Sequence, residues 1–303
     1  MEAFMTSMII AATPFIWAAL GELVAERSGV LNLGIEGMML MGAVAAFAVT
    51  FTTGSSLLGV IAGAVAGVAM SGIFVVIAVL LLANQAATGL ALTIFGIGAS
   101  GLIGQGFVGQ PIAPLARLDI AGLSDGSALG RILFSHDVLV YLGLALAIAI
   151  ALFLGRTRAG LALRAVGDNP DAGHALGYRV IMIRSLATLF GGACAGIGGA
   201  YLSLAYTPLW GENMTAGRGW IALALVVFAT WKPGRLVAGA YLFAAVTQLQ
   251  FYGQDWGIAV PSQFLAMAPY LATVVALVLI SRDINVTKAN APAAIGRPFR
   301  AER

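Results

Sequence analysis

Runs of about 20 apolar residues recur along this chain, and a helix of that length is what the roughly 30 Å hydrocarbon core of a bilayer requires. Bounded by charges or turn residues, nine segments answer to that description: 5–24, 31–51, 57–82, 86–106, 138–154, 185–206, 220–231, 236–251 and 264–280. The segment 220–231 is short for a full crossing and 236–251 only marginally long, so this pair reads as a tilted hairpin or as broken helices lined by protein. The fold class expected is all-α, a polytopic membrane protein with about nine transmembrane helices, give or take one. Composition agrees: 60% of the 303 residues are hydrophobic and 10% are charged, where a soluble domain carries about 25% charged residues. A soluble globular enzyme, a disordered scaffold and a coiled coil are excluded on that ground. No Lys or Arg precedes the first apolar run, so it reads as a retained helix and not as a secretory signal.

Alternating the nine segments across the bilayer puts the amino terminus outside and the carboxyl terminus in the cytoplasm. Of the 16 Lys and Arg, only Arg117, Arg131 and Arg218 then fall outside. Cytoplasmic loops of membrane proteins carry such an excess of basic residues, so the orientation and the odd count support each other. One transmembrane domain spans 1–282, with an external loop at 107–137 and a cytoplasmic loop at 155–184. The remaining 283–303 is polar and basic, contains Pro292 and Pro298, and reads as a disordered tail. The net charge of +3 is too small to indicate a nucleic-acid polymer as partner. Cys194 is the one cysteine, so no internal disulfide can form and no metal site can be built on thiols.

The cytoplasmic loop is better patterned than the rest. Asn169 suits a helix N-cap, Pro170 the first helical position, and Asp171 puts negative charge beside the exposed amides of the first turn. Gly177 suits the residue that ends such a helix. About two turns result, too few to be stable alone in water, so a packing partner is implied, either this protein itself or another.

This loop resembles the coupling helix in permease subunits of ATP-binding-cassette importers of the branched-chain amino acid, ribose and nucleoside class. The family pattern is met at Gly160, Leu161, Arg164, Ala165, Gly167, Asn169, Pro170, Ala172 and Gly177, and departs at Gly173 and Tyr178, where alanine and isoleucine are usual. A second patch, Glu26-Arg27-Ser28-Gly29-Val30-Leu31-Asn32-Leu33-Gly34-Ile35-Glu36-Gly37-Met38-Met39, is similar to the segment after the first span of the nucleoside-type permeases, and the resemblance covers nearly the whole chain. It implies a type II-like importer domain in a bacterial inner membrane, with an ATPase-coupling helix carried by Arg164, Gly167, Asp168, Asn169, Pro170, Asp171, His174 and Gly177. It further implies an ABC ATPase subunit, a second permease chain or a second copy, and an external solute-binding protein as partners. No cofactor is expected on this chain, ATP and Mg being bound by the partner ATPase. The residues themselves agree that no ATPase site is present: a phosphate-cradling loop needs Gly-Lys-Ser/Thr, and neither Lys232 nor Lys288 follows a glycine.

Cargo is constrained by the poverty of charge within the spans. Only two carboxylates, Glu22 and Glu36, are read in or near apolar runs, whereas ion-coupled carriers bury ionisable relays. An uncharged polar solute fits. Nucleosides are favoured by similarity, with ribose or another simple sugar and then branched-chain amino acids as alternatives. Asn32, Glu36, Gln85, Thr88 and Gln105 are the candidate pathway-lining residues. Asn32 and Glu36, four apart, are expected on one face of a helix. Glu36 would either touch cargo or serve structurally, satisfied by Arg27 or by helix amides. A stand-alone carrier or channel would explain the spans equally well but leaves the capped cytoplasmic helix without a purpose. A membrane-embedded enzyme finds no Ser/His pair and no metal-ligand spacing to support it.

Overall fold

A computed structural model of the protein describes residues 1–118, 128–255 and 290–300, together with 267, 271, 274, 275 and 278. The chain forms α1 (Glu2–Arg27), α2 (Ile35–Thr53), α3 (Ser56–Phe74) prolonged by a π-helical turn (Val75–Leu80), and α4 (Gln85–Gly104). It continues with α5 (Ala128–Phe134), α6 (Val138–Arg156), α7 (Arg158–Asp168), α8 (Pro170–Ala175), α9 (Val180–Tyr201) with a second π-helical turn (Leu202–Tyr206), α10 (Arg218–Phe228) and α11 (Pro233–Asp255). Among the described residues six helical segments are long and apolar enough to cross a membrane, and they correspond to the first six expected spans. The seventh is the 11-residue α10. The eighth is longer than expected, because α11 runs 23 residues from Pro233. The ninth falls outside the described residues except at 267, 271, 274, 275 and 278, each helical.

In lipid there is no hydrophobic drive between helices, so association depends on close packing, which small residues permit. The centre of the bundle is built that way. Gly196 of α9 lies where a Cβ would stand 3.1 Å from the Cα of Gly67 on α3, and Gly42 of α2 is pressed against the same residue. α1, α2 and α3 all pack on α9 through such contacts, and the large side chains Phe47, Phe74, Met38, Met39 and Leu20 are fully buried around them. Outward faces of α3 and α4 carry Ile61, Val65, Ile94 and Leu102 exposed, as a lipid-facing or partner-facing surface does.

The bundle has two distinct ends. At one, Arg131 pairs with Glu2 at 2.7 Å, and Asp137 caps α6 through the Leu139 amide at 2.9 Å while accepting the Tyr201 hydroxyl at 3.0 Å. At the other lie Arg27, α7, α8 and the start of α9. The expected tail disorder does not hold for 290–300: Ala294 and Phe299 are buried, and Ala294 and Gly296 donate backbone hydrogen bonds to Gly167 and Gly29 at 3.0 and 3.1 Å. Composition pointed to solvent, but these residues supply carbonyls that inward-turned arginines require.

Candidate functional site

Two places combine the residues singled out in the sequence. The first is the loop from α7 to α9. Thr157 caps α7 by accepting the Gly160 amide at 3.0 Å, and Asn169 caps α8 by accepting the Ala172 amide at 3.0 Å. Pro170 occupies the first helical position and Asp171 the first turn. Gly177 takes φ +85°; its amide and that of Tyr178 then close on the carbonyls of His174 and Gly173 at 2.8 and 3.1 Å, the paired bonds of a Schellman stop. Pro170 and Gly173 are buried, and a Cβ at Gly173 would stand 3.2 Å from Val166 Cγ2. Glycine at this position lets α8 sit closer to α7 than alanine would comfortably allow. Asp168, Asp171, His174 and Gly177 are exposed, Arg164 is half-buried, and Gly167 is buried against the Arg27 carbonyl. Leu176, at the end of α8, is 77% exposed, and Tyr178 beside it is exposed too.

The second place is inside the bundle. α1 ends at a glycine in the left-handed region, Gly29 at φ +89°, and residues 28–34 run without helix before α2 begins. Short polar side chains that bond their own backbone compete with helix in this way. Side chains meet three donors of this stretch: Leu31 N–H by Gln85 Oε1 at 2.8 Å, Asn32 N–H by Glu22 Oε1 at 3.2 Å and Gly34 N–H by Asn32 Oδ1 at 2.9 Å. Thr93 Oγ1 donates to the Leu33 carbonyl at 3.1 Å. Irregular backbone is tolerated at membrane depth only when it is enclosed like this. Asn32 and Glu36 therefore do not share a helical face; Asn32 precedes the helix and Glu36 sits in its first turn.

Glu36 is 3% exposed and reaches the start of α10. Its Oε1 accepts the Thr215 hydroxyl at 2.5 Å and the Gly217 amide at 2.7 Å, and its Oε2 accepts the Gly219 amide at 2.6 Å. A helix N-terminus exposes unpaired amides with partial positive charge, which a carboxylate stabilises. Of the two structural partners foreseen for Glu36, the helix amides are the ones found; Arg27 instead donates to the carbonyls of Asn290 and Trp231. The 11 residues of α10 span about 16 Å, half the apolar core, so it is a half-helix whose N-terminus ends inside the bundle. Its other end is held as well. Trp231 Nε1 donates to Glu26 Oε2 at 2.5 Å, and Thr230 and Trp231 take φ +49° and +53° at the joint to α11. Such conformations are unfavourable for residues with side chains and persist only where the surroundings enforce them.

Asn32 and Gln85 thus both bond the backbone of the 28–34 joint, whereas Glu36, just past it, turns to α10. Thr88 spends its hydroxyl on the Asn84 carbonyl at 2.8 Å and lines an open groove of about 450 Å³ with Ile73, Ile77, Leu92 and Phe95. Gln105 is exposed at the far end of α4 and joins neither group. Sequence reading missed Glu26, buried at 1% exposure, because the first span was closed at residue 24; extending the helix to the Ser28-Gly29 stop would have found it. It also missed Thr215, Gly217 and Gly219, for which no local signal exists. Inside the bundle Glu22, Glu26 and Glu36 each accept hydrogen bonds from the protein's own backbone or side chains.

Comparison with known proteins decides the class. The family described as the permease component of branched-chain amino acid transport systems matches residues 4–281. The chain belongs to this permease family. A putative glucose ABC transporter permease of Haloferax volcanii is 38% identical over 90% of both chains. The nucleoside ABC transporter permease of Lactococcus lactis subsp. cremoris is 32% identical over 98% of this chain and 96% of its own length. The guanosine ABC transporter permease of Bacillus subtilis is 31% identical, with 96% and 94% covered. No solved structure matches the chain. The permease is a multi-pass membrane protein, and its family resemblance extends over the loop carrying α8 and the joint before α2 alike.

Proposed function

We propose that this permease moves nucleosides inward as the membrane subunit of an ATP-binding-cassette importer, driven by a separate ATPase docked on α8. The observation that carries the reading is α8 itself: a two-turn helix capped at both ends, rooted by Pro170 and Gly173, that presents Leu176, Tyr178 and His174 outward. A helix so short is held by packing, and its exposed apolar tip has no partner within the described residues. In this reading Arg164, Gly167, Asp168, Asn169, Pro170, Asp171, His174 and Gly177 form the coupling element. ATP and Mg bind the partner, a second permease chain completes the pathway, and an external solute-binding protein delivers the cargo. The end of the bundle bearing α8 and 290–300 is cytoplasmic, and the end bearing Glu2 and Arg131 is external.

Nucleoside cargo rests on the names of the two permeases that share nearly the full length. Cargo passes near the 28–34 joint, which Asn32 and Gln85 bond and which leads into Glu36. The Haloferax relative favours a second reading, a simple sugar. Reconstituting the permease with its ATPase and binding protein separates these: ATP-dependent uptake of labelled guanosine or uridine, unaffected by excess glucose or ribose, supports the nucleoside reading. Uptake confined to the sugars would replace it, and solute flux from the permease alone would overturn the importer assignment.

A further inference from the structure

Residues 290–299 touch both the α7–α9 loop and the joint before α2. Ala294 N–H bonds the Gly167 carbonyl next to α8, and Gly296 N–H bonds the Gly29 carbonyl at the joint before α2, at 3.0 and 3.1 Å. Arg184 of α9, 2% exposed, gives Nε to the Ser28 carbonyl at 3.2 Å and Nη1 to the Arg297 carbonyl at 2.8 Å. Arg27 Nη1 holds the Asn290 carbonyl at 2.8 Å. The Phe299 ring is buried with Val166 and Val180 and meets the His174 ring of α8 edge-on at 5.7 Å. Pro298 and Phe299 also share a narrow cleft with Gln85 and Arg184, and Gln85 is the group that fixes Leu31.

We propose that residues 290–299 are a strap that transmits displacement of α8 to the 28–34 joint, with Phe299 and Arg184 as its positioning residues. The physical case is one of connectivity. α8 projects from α7 and makes few contacts with the bundle, so a push on it reaches the joint only if something ties the two together. The strap does this through a ring at one end and through backbone bonds at the other. Coupling between sites is carried by such contiguous packed and hydrogen-bonded connections between elements with discrete arrangements. Arg184 is suited to the junction because a planar guanidinium bonds two carbonyls at once, one on each partner, as an ammonium on a flexible stem does not.

This inference rests on the proposed ATPase docking, so the test uses the complete reconstituted complex and reads solute imported per ATP hydrolysed. Three changes are compared: Phe299→Ala, Arg184→Lys and truncation after residue 289. Each is expected to lower that ratio at least fivefold while ATPase capture stays near that of the unaltered complex, at a temperature where every variant compared is still folded. Retention of the ratio within twofold by Phe299→Ala and Arg184→Lys would overturn the strap. So would a drop that tracks loss of ATPase capture or of folding, which would make the segment a structural support only. Should the truncated chain not fold, the two point variants decide. An unaltered complex that shows no ATP-dependent uptake would instead count against the proposed function and is thereby distinguished.

Discussion

Capping bonds at α8 reach only a few positions along the chain, whereas the bonds that hold the buried carboxylate of Glu36 reach across the fold. Asn169, Pro170 and Gly177 bound α8 as expected because capping bonds reach only two to four positions along the chain. Asn169→Ala should remove one such bond at a cost of about 1 kcal/mol to a marginal helix, and lower ATP-coupled uptake severalfold, with Asn169→Asp close to unaltered; transport assays on the three proteins check this. Glu36 is the opposite case. Its donors sit on Thr215, Gly217 and Gly219, and nothing near residue 36 announces them. Glu36→Gln replaces one accepting oxygen by a donating NH₂, so one of the α10 amides is left facing a donor. A buried unsatisfied group costs about 1–3 kcal/mol, and the variant should unfold at lower temperature in detergent; an unchanged unfolding temperature would show that the bonds to Glu36 contribute little. Gly219→Ala should be as harmful for a different reason, since its Cβ would stand 2.6 Å from the Glu36 backbone.

At the scale of elements, apolar length identified the six long crossings, and it also flagged the seventh as too short. What length cannot reveal is how a short helix is held. α10 hangs between two carboxylates: Glu36 meets its N-terminus, and Glu26 receives Trp231 just past its C-terminus. The second span was expected from residue 31, yet α2 starts at Ile35, because Gln85, Glu22, Asn32 and Thr93 satisfy the intervening backbone without helix. Hydropathy averages over that distinction. α8 yields the cleanest test at this scale. Leu176 is 77% exposed, so Leu176→Glu removes no internal contact of consequence and should leave the unfolding temperature within about 1 °C, as expected for substitutions of within about 0.5 kcal/mol away from buried features. Capture of the ATPase by the purified permease should nevertheless fall at least tenfold, because a charge would be buried in an apolar contact without a partner. Unchanged capture would place the docking surface elsewhere.

At the scale of the whole molecule, the distribution of basic residues suggests an orientation that contacts alone do not test. Arg27, Arg184 and Arg297 meet around Gly29, with α7 and α8 beside them, while Glu2 and Arg131 pair at the other end. Residues 290–300 are packed although their basic, proline-containing composition is equally that of a solvated segment. Their role as acceptors of arginine donors depends on three elements converging, which composition does not encode. Orientation itself is testable with single cysteines, because the native Cys194 is buried and should resist a membrane-impermeant thiol reagent. Leu176→Cys, at the exposed tip of α8, should label in inside-out vesicles and stay unlabelled in intact cells stripped of their outer barrier. Gln105→Cys, exposed at the distant end of α4, should show the reverse. The two positions lie at opposite ends of one bundle, so labelling of both from the same face would be incompatible with α4 crossing the bilayer, and exchange of the two patterns would put α8 beyond the reach of any cytoplasmic ATPase.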